Sequence, residues 1–263
     1  LALALSNGLA RADLFEYVHT PDPSTGWTLL KTDTTAAGTV YRLKLTSQTW
    51  QGIAWTHQLT VYEPKEIRYP DAALLFINGG SNADGPSRAD SDGVGFALAQ
   101  LCGARVAMLP QVPNQPLLGA LKEDGLIAET FVRFLDSGDA NWPLLLPMAK
   151  SAVAAMDAVQ ALAKQQGKPI TRFVVTGASK RGWTTWLSGI VDERVVAIAP
   201  MVIPTLNFQA QLRHQIERWG RFSEQIADYT RRGLTGDFDT PRKVELWKMV
   251  DPYTYRDRLK AKP

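Results

Sequence analysis

The sequence predicts an α/β fold: a mostly parallel sheet with antiparallel strands on its N-terminal side and a helical insertion after the last strand. Two patterns predict it. From Ala72 onward, continuous apolar runs (72–77, 105–109, 172–176 and 195–200), bounded by turns, alternate with helical segments, as buried parallel strands joined by crossover helices do. Between Trp27 and Tyr62 the residues instead alternate and are rich in Thr, Val, Tyr and Trp, the mark of antiparallel strands. Composition agrees: 263 residues, 45% hydrophobic and 21% charged, suffice for a sizeable core, so disorder is excluded. The 29 Lys+Arg against 26 Asp+Glu form no polybasic block, which argues against nucleic acid and anionic lipid as partners. One cysteine, Cys102, excludes an intramolecular disulfide framework and Cys-rich metal sites.

Residues 1–12 open with Leu-Ala-Leu-Ala-Leu and continue to Ala10-Arg-Ala12. This reads as the end of a secretory signal with cleavage before Asp13, implying a periplasmic or secreted protein. No run approaches the roughly 18 to 20 apolar residues of a spanning helix. The antiparallel region holds runs 40–46 and 53–62, with Gly52 at the break between them. The first parallel strand, 72–77, leads into a long loop, Gly79 to Gly95, and the second, 105–109, into a Pro-rich loop, Pro110 to Pro116. Ligands in open α/β sheets bind at such C-terminal strand ends. Leu144 to Gln166 is a crossover helix: Met148, Ala152, Ala155, Met156, Val159 and Leu162 recur at helical spacing before Gly167-Lys-Pro169 stops it. After Pro204 the chain is helical, charged and aromatic from Phe208 to Arg232, turns through Gly233 to Asp237, and becomes helical again. The predicted organisation is therefore a signal remnant (1–12), a core (13–204), a helical lid or insertion (205–250), and a lead into a further core segment (251–263).

The chemistry concentrates at Arg172-Phe-Val-Val-Thr-Gly-Ala-Ser179-Lys-Arg-Gly182-Trp183. A buried strand, then Gly-x-Ser, then the opening of a helix is the context of a nucleophile elbow, where a strained turn exposes the serine hydroxyl at the sheet edge. Ser179 is the candidate nucleophile, and the Lys180 amide points where an oxyanion would develop. An elbow usually has Gly two residues after the serine. Arg181 stands there instead, with Gly182 following, and crowding is the objection it raises. A second oxyanion donor is expected from Gly79 and Gly80, which follow strand 72–77.

Three strings then resemble a known family: Thr176-Gly-Ala-Ser-Lys-Arg-Gly-Trp-Thr-Thr-Trp186 with Asp192 to Pro200, the helix around Arg213-His-Gln-Ile-Glu-Arg-Trp-Gly220, and Asp251-Pro-Tyr-Thr-Tyr-Arg-Asp-Arg258. They are similar to the PhoPQ-activated pathogenicity-related proteins, which are α/β-hydrolase-like and related to a proliferation repressor of slime moulds. The resemblance runs from about Asp13 to the last residue and implies a serine-hydrolase scaffold and export. The elbow is also similar to the Gly-x-Ser-Arg-x-Gly of glucuronoyl esterases, so Gly two positions after the serine is not obligatory. By that analogy the Lys180 side chain adds a cation near the oxyanion or is simply solvated.

In this fold the triad order is Ser, acid, His, and the only histidine after Ser179 is His214, in the predicted lid. It makes a poor general base there, and His19 and His57 are read as surface or packing residues. The resembled family continues into another strand before its acid and histidine, so the sequence reads as truncated before both. The carboxylates of the 84–93 loop lack full calcium-loop spacing, so no metal and no cofactor is expected. Arg181, Trp183 and Trp219 are candidate substrate contacts. The leading expectation is an exported serine hydrolase, esterase- or peptidase-like, acting on a small-molecule or peptide substrate through an acyl-enzyme at Ser179. The alternative is a noncatalytic binding or signalling protein on the same scaffold. Oligomeric state is not legible.

Overall fold

The computed structural model describes residues 13–82 and 90–259. The signal reading of residues 1–12 lies outside the described residues, as do residues 84–89 of the acidic loop. After a short helix α1 (Leu14–His19), strands β1 (Gly26–Thr34), β2 (Gly38–Trp50) and β3 (Ile53–Pro64) form the antiparallel meander. The parallel part follows as β4 (Ala72–Ile77), α2 (Asp90–Cys102), β5 (Arg105–Leu109), α3 (Glu123–Ser137), α4 (Leu145–Gln165), β6 (Arg172–Ala178), α5 (Lys180–Val191) and β7 (Val195–Met201). Beyond β7 come α6 (Phe208–Trp219), α7 (Ala227–Thr230) and α8 (Pro241–Val250), with 3₁₀ turns at Glu224–Ile226 and Pro252–Arg258.

All the strands join one seven-stranded sheet in the order β1-β2-β3-β5-β4-β6-β7. The two halves meet where β3 pairs antiparallel with β5, Val61 opposite Ala107. Successive side chains on a strand point to opposite faces, and the core divides accordingly. Val61, Leu75 and Ala107 enter the larger apolar cluster, on the side of α4 and α5. Their neighbours Tyr62 and Val106 join Val40, Phe96 and Ala99 in a smaller one under α2. The sheet is thus covered on both faces, which is why β5 is apolar throughout from Val106 to Leu109.

The structure shortens one loop of the sequence reading and adds α1, α3 and, within the expected antiparallel region, β1. The loop after β4 is shorter than Gly79 to Gly95, because α2 begins at Asp90. Helix α1 has only six residues, too few for a periodic signal, whereas α3 buries Leu126, Ile127, Thr130, Phe131 and Phe134 at helical spacing, a stripe that the sequence reading passes over. Strand β1 is mostly exposed, with Leu30 at 62%, so its inward and outward residues do not contrast. Among the described residues no helix is long and apolar enough to cross a membrane.

Candidate active site

Ser179 sits between β6 and α5 with φ 57° and ψ −126°, a left-handed conformation that a non-glycine residue adopts only under strain. Its N–H bonds the Met201 carbonyl (2.9 Å) and its carbonyl accepts the first helical bond, from the Trp183 amide (3.0 Å). The backbone is held on both sides while the hydroxyl caps no amide of α5. Two glycines make this turn possible. A Cβ on Gly177 would lie 2.8 Å from the Arg181 carbonyl oxygen. One on Gly182 would lie 3.0 Å from the carbonyls of Gly177 and Met201 and would collide with Ile203. The small positions this elbow needs are therefore two before and three after the serine, and Arg181 does not crowd it.

Strands β4 and β6 are adjacent and parallel, with Ile77 opposite Gly177. The loop that begins Asn78-Gly79-Gly80 and the elbow Ala178-Ser179 thus leave the sheet side by side. Within that loop the Gly79 N–H is taken by its neighbour's side chain, Asn78 Oδ1, at 2.8 Å. Gly80 has φ 123°, and no acceptor among the described residues takes its N–H. Of the glycine pair, Gly80 is the one left to donate, beside the Lys180 amide in the unpaired first turn of α5.

The side chains of Lys180 and Arg181 are both taken up by carboxylates at the start of α3, although Lys180 also lines the cavity that contains Ser179. Lys180 Nζ is buried and bridges Glu123 Oε2 (2.8 Å) and Asp124 Oδ2 (3.1 Å). It is neither the expected oxyanion cation nor a solvated lysine, because two carboxylates at the start of α3 neutralise it. The Arg181 guanidinium, expected to meet substrate, is bonded within the protein: Nη1 and Nη2 fork onto the two oxygens of Glu123, each at 2.7 Å, and Nε donates to the Val112 carbonyl (2.5 Å). Burial of Glu123 opposes its ionisation, yet hydrogen bonds from Arg181, Lys180 and Gln115 prevail and lower its pKa to about 2.

A cavity of about 400 Å³ opens over Ser179, within the range of small-molecule sites. Its walls are largely apolar and come from the helical segment after β7: Ile203, Phe208, Leu212 and Trp247, with Trp183 and Tyr229. Phe208 is sandwiched between Trp183 and Trp247, with ring centroids 4.7 and 5.2 Å away, and the Trp183 indole N–H is anchored on the Val250 carbonyl (2.6 Å). Asp251 fixes the start of α6 by accepting the Asn207 and Phe208 amides at 3.1 and 2.8 Å.

Trp219 is not brought to this cavity. It ends α6, 66% exposed, and packs edge-on to His214 at 5.8 Å along a separate groove. A helix climbs about 1.5 Å per residue, so only the first turns of α6 reach Ser179. His214 is exposed in that outer groove. His19 is exposed and bonds the Phe15 carbonyl, and His57 is buried between Ser47 Oγ (3.0 Å) and the Pro110 carbonyl (3.1 Å). None of the three histidines lines the Ser179 cavity. Among the described residues no group of three or more His, Cys, Asp or Glu is placed to hold a metal. Glu123, Gln115 and Asp124 escape the sequence reading because single polar residues in a Pro-rich loop and its exit carry no motif.

Comparison with known proteins gives the following. The family described as PhoPQ-activated pathogenicity-related protein matches residues 14–263. Autocrine proliferation repressor protein A of Dictyostelium discoideum is 38% identical over 269 residues, a match covering 98% of this chain and 54% of that protein. The chain thus spans about half the length of this curated relative. Among solved structures, an acetyl xylan esterase from Paenibacillus sp. R4 superposes with a TM-score of 0.56 at 12% identity, covering 93% of this chain and 73% of that one. Acetyl xylan esterase 1 from Thermoanaerobacterium sp. JW/SL YS485 does so at 0.50 and 14%, covering 95% and 83%. At such identities the likeness shows the α/β-hydrolase fold alone.

Proposed function

Since the chain belongs to the PhoPQ-activated pathogenicity-related protein family and has an α/β-hydrolase fold, we propose that it acts as an exported serine hydrolase with Ser179 as nucleophile. The observation that carries this is the strained, doubly anchored backbone of Ser179 beneath a cavity sized for a small molecule. Attack of Oγ on a carbonyl builds negative charge on the carbonyl oxygen. The Lys180 and Gly80 amides are the donors that would receive it. Collapse of that intermediate would break the ester C–O bond and expel the alcohol, protonated by the base that took the Ser179 proton, and the acyl group would stay on Ser179 until water releases it as the acid.

A base must take the Ser179 proton, and none of the three histidines lies by that hydroxyl. In a protein of the relative's length, we place the histidine and its carboxylate partner after residue 263, following the triad order of this fold. The ion pairs leave the Lys180, Arg181, Glu123 and Asp124 cluster with no net charge, and the remaining walls are mostly apolar. This favours a neutral ester over an anionic one or a charged peptide.

A second reading has its own support. The relative from Dictyostelium is a proliferation repressor by name, and a scaffold without a base would bind rather than hydrolyse. Incubating the full-length protein and its Ser179→Ala variant with a fluorophosphonate probe decides between them. Labelling of the wild type alone supports hydrolysis, whereas no labelling, or equal labelling of both, refutes the nucleophile assignment.

A further inference from the structure

We propose that Arg181 and Glu123 are positioning residues that hold the Gly79-Gly80 loop at the depth where it can receive an oxyanion. The inference rests on the hydrolase reading for its catalytic consequence. Its structural half stands on the geometry alone.

Glu123 is the hub. It begins α3 with φ 53°, a strained conformation, and its carboxylate accepts the Arg181 fork and the Lys180 ammonium on one side. On the other side its N–H donates to Gln115 Oε1 at 2.8 Å, and Gln115 Nε2 donates to Glu123 Oε1 at 2.5 Å. The same Gln115 Nε2 reaches the Gly80 carbonyl at 3.0 Å, and the Gln115 carbonyl accepts the Asn82 N–H at 2.6 Å. An unbroken chain of contacts thus runs from the residue two past the nucleophile to both sides of the oxyanion loop. Arg181 also touches that loop directly, since a Cβ on Gly79 would lie 2.7 Å from its Nη2. This explains the glycine: the guanidinium occupies the volume a side chain would need. It also explains why arginine replaces the usual glycine after the serine, because a planar fork makes both carboxylate bonds where a lysine could make one. The loop in turn is tied to its other neighbour, with the Gln111 amide on the Gly79 carbonyl (2.8 Å) and the Val112 amide on the Asn78 carbonyl (3.1 Å). Arg181 Nε grips the Val112 carbonyl, so one side chain braces both loops.

The test uses Arg181→Lys and Glu123→Gln in the full-length protein, with Gly79→Ala as an independent way of displacing the loop. Two readouts are taken: hydrolysis of a neutral nitrophenyl ester, and hydrogen exchange of the amides in 78–82. Thermal melts establish that each variant is folded. Loosening the clamp should speed exchange in 78–82 and lower kcat about 10- to 100-fold, the cost of misplacing a catalytic group by an ångström or so. KM should stay within about twofold, because the cavity walls are untouched. Folded variants with wild-type exchange in 78–82, or with faster exchange but an unchanged kcat, would overturn the proposal. A wild type that fails to hydrolyse the ester or react with the probe counts against the hydrolase reading instead, and the exchange rates then still decide whether the clamp holds the loop.

Discussion

Replacing His57 by Gln should remove a large part of this protein's acid sensitivity. The ring is fully buried, and its Nδ1 faces a carbonyl, which can only accept, so the neutral tautomer donates from Nδ1 to Pro110 and accepts at Nε2 from the Ser47 hydroxyl. Burial outweighs the hydrogen bond to Pro110, which would favour the charged form, and lowers the pKa from 6.5 to about 4. An unfolded histidine binds a proton near pH 6.5, so between 6.5 and 4 the unfolded state holds more protons and stability falls with falling pH. At about 1.4 kcal/mol per pH unit, this one group costs roughly 2 kcal/mol by pH 5 and roughly 3 kcal/mol by pH 4. Above pH 6.5 it costs nothing. Urea unfolding of wild type and His57→Gln at pH 7.5 and pH 5 measures the term, because carboxylate contributions cancel in the difference. The variant should be the less stable at pH 7.5, with the gap narrowing by about 2 kcal/mol at pH 5. A constant gap would mean that His57 is protonated in the folded state or open to solvent, and the packing argument would be wrong.

Glu123 produces a second pH effect, at lower pH. Its pKa is depressed from 4.5 to about 2, so its contribution is present above about pH 4.5 and is lost as pH falls toward 2. Taken alone the shift is worth about 3 kcal/mol; with the carboxylate 42% exposed, solvent screening reduces it to about 1–2 kcal/mol. Wild type and Glu123→Gln should therefore converge in urea stability between pH 5 and pH 2.5. Gly182→Ala places a methyl group against the Gly177 and Met201 carbonyls and Ile203. It should cost about 1–3 kcal/mol as overpacking and abolish probe labelling, with the two measured by thermal melts and mass spectrometry. Gly236→Ala, in open space at a solvent turn, should change neither.

Much of this was legible in the sequence because it is periodic. The runs 72–77, 106–109 and 173–175 are apolar because both faces of the sheet are covered there, with Arg105, Arg172 and Thr176 only at their ends, and the elbow is local enough for Gly177, Ser179 and Gly182 to show it. The fates of Lys180 and Arg181 were not legible. They are decided by Glu123 and Asp124, which lie more than fifty residues earlier and meet them only because β5 and β6 flank β4 in the sheet. Trp219 is a candidate in the sequence only as an aromatic of the helix around Arg213 to Gly220. Helical spacing does not reveal that the last turn of α6 passes beyond the cavity. His57 reads as a surface or packing residue in the sequence, and its burial with bonds to Ser47 and Pro110 makes it the latter.

The central claim is that Ser179 is presented to a carbonyl with its oxyanion donors already in place. A crystal structure of the full-length protein after reaction with a phosphonate ester tests it most directly. The account expects phosphorus bonded to Ser179 Oγ, with the phosphonyl oxygen about 2.7–3.1 Å from the Lys180 and Gly80 nitrogens. Phosphorus on another residue, or a phosphonyl oxygen directed into solvent away from both amides, would contradict it.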